Sequence, residues 1–412
     1  MSRVALALSG GIDSMMSAYL LSKQGYKVTG VYMNSWDFVE EKGYCTGERD
    51  YNHASKICDL LNIDFKRVDY VKEYWNLVFT DFLENLRKGK TPNPDVGCNQ
   101  HIKFGSFFND FIMKNVEYDY IATGHYASLM YKDEKHILKR AYDKTKDQSY
   151  YLSTINSKIF KYTLFPLANI RKQDLKEELI KNKELRTRFD FLLQKKESTG
   201  ICFIGERKNF KRFLDHYVEK TNSIGVGKFV SVTDGRVISN FKNGGLEFFL
   251  TIGQSAKIPG ESFRYKMTVV RQMLNKNIER WYVVEKSFAN NIILVAPNNH
   301  NSLFKKRIRV HNFFWQQLEI DNTSSILDNA FVDCDNNIIF NCHVKYRYRM
   351  EPVECKVLVK NTKFRSLLLE FATSQKGVAL GQHLTLYLDD EVLGGGEISY
   401  IENCFFDDKE EG

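Results

Sequence analysis

No two cysteines in this chain stand in a C-x-x-C pair. The eight are scattered, at Cys45, Cys58, Cys98, Cys202, Cys334, Cys342, Cys355 and Cys404. Neither a zinc site nor a secreted disulfide framework is suggested, and a reducing compartment is expected. Long apolar runs are missing too: none approaches the roughly 18 residues that would span a bilayer, so no membrane partner is expected. The first apolar strand begins almost at Met1, which leaves no visible cleavable leader. There is no sequence repeat. Charge of one sign is in only mild excess, at +8, which suits a nucleic-acid partner or an enzyme of small molecules and decides nothing between them. What the chain does have is length and apolar content. Its 412 residues at 43% hydrophobic are enough for two or three domains with sizeable cores.

The first half alternates strands and amphipathic helices. Val4 to Leu8 reads as a strand, Ser9-Gly10-Gly11-Ile12-Asp13-Ser14 as a glycine turn, and Met15 to Leu21 as a helix. Two adjacent glycines let successive amides converge with a helix N-terminus on an anion, for which a phosphate is the natural tenant. Ser9 and Ser14 add hydroxyl donors, whereas Asp13 makes most sense as a helix cap or a partner for Mg²⁺. Val28 to Met33 follows as a strand, Tyr51 to Leu61 as a helix, Phe65 to Val68 as a strand and Tyr120 to Ala122 as another. This βαβ order implies an α/β fold with a parallel sheet covered on both faces and ligands at the carboxyl ends of its strands. Two further stretches sit at strand ends, Met33 to Trp36 and Thr123-Gly124-His125-Tyr126. Gly124 would let backbone approach a nucleotide. His125 would meet a phosphate or a base, or be only a satisfied loop histidine.

Thr91-Pro92-Asn93-Pro94-Asp95-Val96-Gly97-Cys98 reads as a stiff proline loop projecting a carboxylate and a thiol three residues apart. Proton transfer beside a sulfur nucleophile needs that pairing, although a lone cysteine is more often buried filler. A second cysteine shifts the balance. In Glu197 to Gly205 a Thr-Gly turn ahead of an apolar run lifts Cys202 onto a loop or strand start. A basic segment lies nearby, with Arg171, Lys172, Arg186, Arg188, Lys195 and Lys196 spaced among apolar residues.

The SGGIDS turn lacks the lysine of the Walker P-loop and resembles instead the loop of the ATP pyrophosphatase (PP-loop) superfamily. With Tyr70 to Trp75, Pro92 to Gly105, Thr123 to Ala127, Lys146 to Tyr151 and Leu193 to Gly205, the chain resembles the tRNA-specific 2-thiouridylases, in particular the animal mitochondrial members. The resemblance implies replacement of the C2 oxygen of the wobble uridine of certain tRNAs by sulfur, after adenylation of that oxygen with ATP and Mg²⁺. It implies an ATP site at Ala7, Leu8, Ser9, Gly10, Gly11, Ile12, Asp13, Ser14, Met33 and Gly124. Cys202 would carry a persulfide, Cys98 would attack or resolve it and be left in a transient disulfide with Cys202, and Asp95 would move the proton. Contacts to tRNA are implied at Asn93, Pro94, Asp95, His125, Lys146, Asp147, Gln148, Arg347, Tyr348 and Gln382. The basic segment would face the tRNA phosphates. A persulfide-bearing sulfur donor protein is the implied partner besides tRNA, and the mitochondrion the implied location, with the cytoplasm as alternative. The rival readings are another adenylating PP-loop enzyme acting on RNA or on a small amine acceptor and a tRNA-binding protein that has lost catalysis.

Phe210 to Val218 reads as one more helix, after which short β-runs broken by glycines take over. The expected organisation is a PP-loop nucleotide-binding domain over residues 1–205, a small β-rich central domain over 206–298 and an all-β barrel over 299–406. In Lys345-Tyr346-Arg347-Tyr348-Arg349 cations and aromatics alternate, so a strand there would put charges on one face and rings on the other. Asp407 to Glu411 reads as a frayed acidic tail.

Overall fold

The first strand, β1 (Arg3–Ala7), alternates its side chains between two cores, as a strand covered on both faces must. Val4, Leu6 and Leu8 pack with Met15, Ala18 and Leu21 of the following helix α1 (Ile12–Lys23) and with Ile57 and Cys58 of the helix Thr46–Leu61. Ala5 and Ala7 face the opposite way, onto Tyr74, Phe79, Cys98 and Ile102. The computed structural model describes residues 1–36, 46–115, 117–195, 202, 213–214, 217, 226–242, 250–258, 280–287, 290–316, 330–360 and 365–402. The helix expected over Phe210 to Val218 and the acidic tail lie largely or wholly outside these residues.

β1 is joined by β2 (Lys27–Asn34), β3 (Asp64–Asp69) and β4 (Tyr120–Thr123), and all pairings in this sheet are parallel. Two strands, β5 (Ser128–Lys132) and β6 (Lys135–Lys139), then form a hairpin, and β7 (Thr163–Leu164) completes the parallel sheet in the order β3-β2-β1-β4-β7. The chain runs outward from β1 through β2 to β3 and returns on the other side at β4. The crevice between the carboxyl ends of β1 and β4 is therefore the topological switch point, where such sheets bind ligands.

A second sheet contains β8 (Val226–Ser231), β9 (Val237–Lys242), β10 (Trp281–Ser287) and β11 (Ile292–Pro297), in the order β10-β11-β8-β9. Beyond it come β12 (Phe304–Trp315), β13 (Ala330–Val332), β14 (Ile338–Lys345), β15 (Val353–Val359), β16 (Leu367–Lys376), β17 (His383–Leu388) and β18 (Glu391–Ile401). Six of these close a barrel in the order β12-β16-β15-β14-β17-β18, sealed by pairing of β18 back to β12, while β13 adds to β14. Closure removes the open edges.

The β5–β6 hairpin, although it lies in the first half of the chain, extends the barrel sheet by pairing Lys139 with Glu391. Side chains tighten the same junction. Ser153 Oγ lies 2.7 Å from His383 Nε2, Tyr150 OH donates to His383 O at 2.8 Å, and Gln316 Nε2 donates to Leu152 O at 2.8 Å. Burial lowers the His383 imidazole from its ordinary value of 6.5 to about 3, so the folded protein holds it neutral. Because the folded-state value is depressed, the stabilisation is complete above the unfolded value and is lost as pH falls from 6.5 toward 3. Acidification from about pH 7 to about pH 5 is expected to cost about 2 kcal/mol through this group alone. Urea titrations at the two pH values check it, with His383→Asn expected to flatten the dependence.

Candidate functional site

At the end of β1 the backbone turns through Gly10, whose φ of +68° lies in the left-handed region. A Cβ there would stand 2.5 Å from the Asp50 carbonyl oxygen, so both conformation and space demand glycine. Gly11 caps α1, with Met15 N donating to Gly11 O at 3.0 Å. Ser14 Oγ donates to Gly11 O at 3.0 Å, accepts from Gly11 N at 3.3 Å, and lies 3.3 Å from Ser9 Oγ, so the serines hold the turn in shape. Ala7, Leu8 and Met33 are buried beneath the turn, and Ile12 is half-buried. Gly124, at the exit of β4, allows close packing: its Cβ would lie 3.2 Å from Ser14 N and 3.3 Å from the Asp13 carbonyl carbon. Asp13 is not the cap. Its Oδ1 accepts from Tyr126 OH at 3.0 Å and pairs with the Lys172 ammonium. Lys195 Nζ donates to Gly10 O at 2.9 Å and to Asp50 Oδ1 at 2.8 Å.

Two residues of the basic segment thus belong to the glycine turn, which corrects the expectation that Lys172 and Lys195 face tRNA. Arg188 pairs with Glu184, Arg171 lies over the Tyr142 ring, and Lys196 is outside the described residues. No local motif marks the two lysines. They reach the turn only because the helices Lys172–Lys181 and Lys183–Leu193 pack against the β1 core through Leu175, Leu179, Leu185, Phe189 and Leu192. Gly10→Ala is expected to distort the turn at a cost of about 1–3 kcal/mol, from left-handed strain and the clash with Asp50. Its nucleotide affinity should fall correspondingly, measured by calorimetry.

The thiols come together beyond the loop 123–126 that packs on the glycine turn. Asn93 caps a helix, its Oδ1 accepting from Asp95 N at 3.1 Å, and Pro94 takes the first helical position. The expected stiff proline loop is therefore a helix start: Asn then Pro is a favoured cap and opening pair. Asp95 and Cys98 lie on its first turns. From Cys98 to Ser106 the helix is π-helical, closing with Phe107 N to Ile102 O. Cys98 is fully buried and Cys202 half-buried. Cys202 is brought in by Asp95 Oδ1, which accepts from Cys202 N at 2.8 Å, and by Tyr74 OH, which donates to Cys202 O at 3.0 Å. The two side chains are within hydrogen-bonding reach as free thiols.

Burial pushes the Cys98 thiol well above its ordinary range, and the hydrogen bond and charge of Cys202 push the same way. Burial likewise raises the Asp95 carboxyl, opposed by the Cys202 amide and the Lys103 charge. Lys103 Nζ stands 4.0 Å from Cys202 Sγ and 3.4 Å from His125 Nε2. His125 Nδ1 lies 2.8 Å from Thr123 Oγ1, and burial, then Lys103, holds the imidazole well below its usual value, hence neutral. The loop 123–126 therefore joins the two halves of the site. Gly124 packs on the glycine turn, Tyr126 reaches Asp13, and His125 touches Lys103, which stands beside Cys202.

The remaining candidates divide between surface and interior. Asn93 and Pro94 start the thiol-bearing helix. Asp147 is buried, accepting from Arg140 Nε at 3.2 Å, Ala141 N at 3.1 Å and Ser149 N at 3.2 Å, with Lys345 Nζ at 3.7 Å. Gln148 pairs both ways with the Tyr126 backbone, at 2.8 and 3.0 Å. Gln382 is buried and pairs both ways with Ala379, at 3.2 and 3.0 Å. Tyr348 OH donates to Lys146 O at 3.4 Å, and its ring packs 4.7 Å from that of Tyr151. Arg347 is exposed, its guanidinium on Gly377 O. The alternation of Lys345 to Arg349 does not lie on a strand: β14 ends at Lys345, which is buried on Asp147, and the next four residues form a turn. A cation anchored inside the protein ends the strand pattern there.

A family profile described as "tRNA methyl transferase HUP domain" matches residues 2–206, and one described as "Aminomethyltransferase beta-barrel domain" matches residues 306–398. The chain is 36% identical over 419 residues to "Mitochondrial tRNA-specific 2-thiouridylase 1" of Mus musculus, covering 96% of this chain and 90% of that one. It is 35% identical over 428 residues to the protein of the same name in Gallus gallus, covering 96% and 91%. It is 35% identical over 402 residues to "tRNA-specific 2-thiouridylase MnmA" of Colwellia psychrerythraea, covering 97% and 96%.

Proposed function

The chain belongs to the tRNA-specific 2-thiouridylases, and from that premise we propose how its own residues replace the C2 oxygen of a tRNA wobble uridine by sulfur. The observation that carries the reading is the meeting of Cys98 and Cys202 beside Asp95, linked to the glycine turn through the loop 123–126.

Oxygen is a poor leaving group. Adenylation by ATP turns it into an ester of AMP, with pyrophosphate released at the turn. The α1 N-terminus offers amides to the phosphates, Lys172 and Lys195 bring positive charge to the turn, and Asp13 is the carboxylate that a phosphate-bound Mg²⁺ would share. Mg²⁺ held there with ATP would supply positive charge to the phosphates.

A donor protein loads Cys202 with sulfur as a persulfide. The terminal sulfur attacks C2 and AMP leaves, so that C2 carries the outer sulfur of a disulfide to Cys202. Cys98 thiolate then attacks the Cys202 sulfur, releasing thiouridine and leaving Cys98–Cys202 as a disulfide. A dithiol reductant restores the two thiols before the next cycle. Asp95, with its carboxyl raised by burial, is the proton acceptor nearest the pair. Asp95→Asn is expected to slow single-turnover thiolation by about 10²–10⁴-fold and to remove the acid limb of its pH profile. An unchanged profile would take the base role from Asp95.

An amine-accepting ligase would have no use for two thiols held together at a carboxylate, which is why that alternative is set aside. Contacts to tRNA are assigned to the exposed Arg347 and to the half-buried Asn93, Pro94, Lys146 and Tyr348. Asp147 and Gln382 act by shaping the surface. The mitochondrion is the proposed location, supported by the vertebrate relatives, with the cytoplasm as the alternative that the bacterial relatives keep open. Nucleoside analysis of tRNA from cells lacking the protein tests the reaction. Loss of 2-thiouridine derivatives is the expected result; their persistence would overturn the assignment.

A further inference from the structure

We propose that Lys103 is a catalytic residue of the sulfur transfer, its ammonium serving as counter-ion to the sulfur anion on Cys202, with His125 as the positioning residue that aims it. The proposal rests on the reading of Cys202 as the sulfur carrier.

The geometry begins with the helix. Lys103 is five residues past Cys98, and in an α-helix residues five apart point about 140° away from each other. The wider turns of the π-helical stretch Cys98–Ser106, with hydrogen bonds reaching five residues back, swing the two toward one side. Lys103 thereby reaches the thiol pair from the same element that carries Cys98, and its Nζ stands 4.0 Å from Cys202 Sγ. Burial by itself would discharge this half-buried lysine. Cys202, Cys98 and Asp95 outweigh that effect, so the ammonium is held charged at the sulfurs.

His125 fixes the direction. An ammonium has only donors, so Nζ donates to His125 Nε2 at 3.4 Å, and the remaining proton of the neutral ring sits on Nδ1, donated to Thr123 Oγ1 at 2.8 Å. Phe104 and Phe165 flank the imidazole, with ring centroids 6.2 and 6.3 Å away. Among the described residues, the groups facing Cys202 from the other packed elements are Asp95, Tyr74 and Tyr151. Asp95 spends Oδ1 on the Cys202 amide, and Tyr74 spends its hydroxyl on the Cys202 carbonyl. None of these supplies positive charge. A thiolate or persulfide anion in so apolar a setting is costly unless a cation stands close, and Lys103 is placed to be that cation.

The test uses the full chain with Cys98→Ser, so that Cys202 alone of the pair reacts. Its carboxamidomethylation by iodoacetamide is followed by peptide mass spectrometry from about pH 6 to about pH 10. With Lys103→Met or Lys103→Gln, each checked for native ellipticity, the rate near neutral pH is expected to drop about tenfold, the gap closing at the alkaline end. Lys103→Arg should stay within about threefold, and His125→Asn should fall between. Profiles of the Met or Gln variant superimposable on that of native Lys103 would overturn the proposal. Thiolation by the wild type, assayed alongside, separates the two levels: its absence removes the sulfur-carrier reading, while the alkylation profiles still decide whether Lys103 serves the sulfur.

Discussion

Cys202→Ser is expected to lower 2-thiouridine formation by about 10³-fold or more while tRNA affinity stays within about twofold. Of the two thiols of the proposed site, Cys98 is fully buried and Cys202 is the more accessible, which is why the persulfide is assigned to Cys202. Serine keeps the backbone contacts of Cys202 with Asp95 and Tyr74, so the fold of the pocket is retained and the loss is chemical. Cys98→Ser should fail at a later step. Sulfur loads onto Cys202 and AMP forms in the presence of tRNA, but the mixed disulfide to the base is not resolved. Intact-mass measurement should find covalent protein–tRNA adduct with Cys98→Ser and none with Cys202→Ser. Equal thiolation by wild type and Cys202→Ser would remove the persulfide from this residue.

Much of this arrangement was legible because it depends on local pattern. Adjacent glycines after an apolar run can do little else than turn tightly into a helix, and the alternation of Val4, Leu6 and Leu8 with Ala5 and Ala7 follows from a strand covered on both sides. The barrel was visible from its short β-runs broken by glycines, of which Val353–Val359 is one. What escaped depends on residues distant in sequence. Lys172 and Lys195 read as part of a basic run facing tRNA, since nothing beside them says that their helices pack over a turn more than 150 residues earlier. Lys103 was passed over because the stretch was read as a proline loop ending at Cys98, with no helix to carry a later residue back to the thiol; the π-helical turns from Cys98 to Ser106 do that. The proline loop was read from its two prolines, when Asn93 before Pro94 was the stronger signal, a cap ahead of a first turn.

Asp147 carries the other large expected effect, and the reason lies in what surrounds it. Its carboxylate is inaccessible to solvent and is shared by Arg140, Lys345 and two backbone amides, tying the segment that carries Lys146 and Gln148 to the end of β14 in the barrel. Burial acts to discharge Lys345, and Asp147 is the first of the charges that oppose it. Removing the carboxylate takes the nearest negative charge from the buried Lys345 ammonium and leaves Arg140 with only the exposed Glu351, and loss of one partner of a buried pair costs about 3–5 kcal/mol. Asp147→Asn, nearly isosteric, isolates that charge term; Asp147→Ala adds the loss of the acceptor for two amides. Urea denaturation should show midpoints falling in the order wild type, Asn, Ala. A surface residue that merely touched tRNA would behave otherwise: stability within about 0.5 kcal/mol of wild type and a loss confined to binding. Because this anchor fixes Gln148 on the Tyr126 backbone, and Tyr126 in turn reaches Asp13 of the glycine turn, weakening it should also slow adenylation. Thiolation lost with full stability retained would instead return Asp147 to the tRNA-contacting surface.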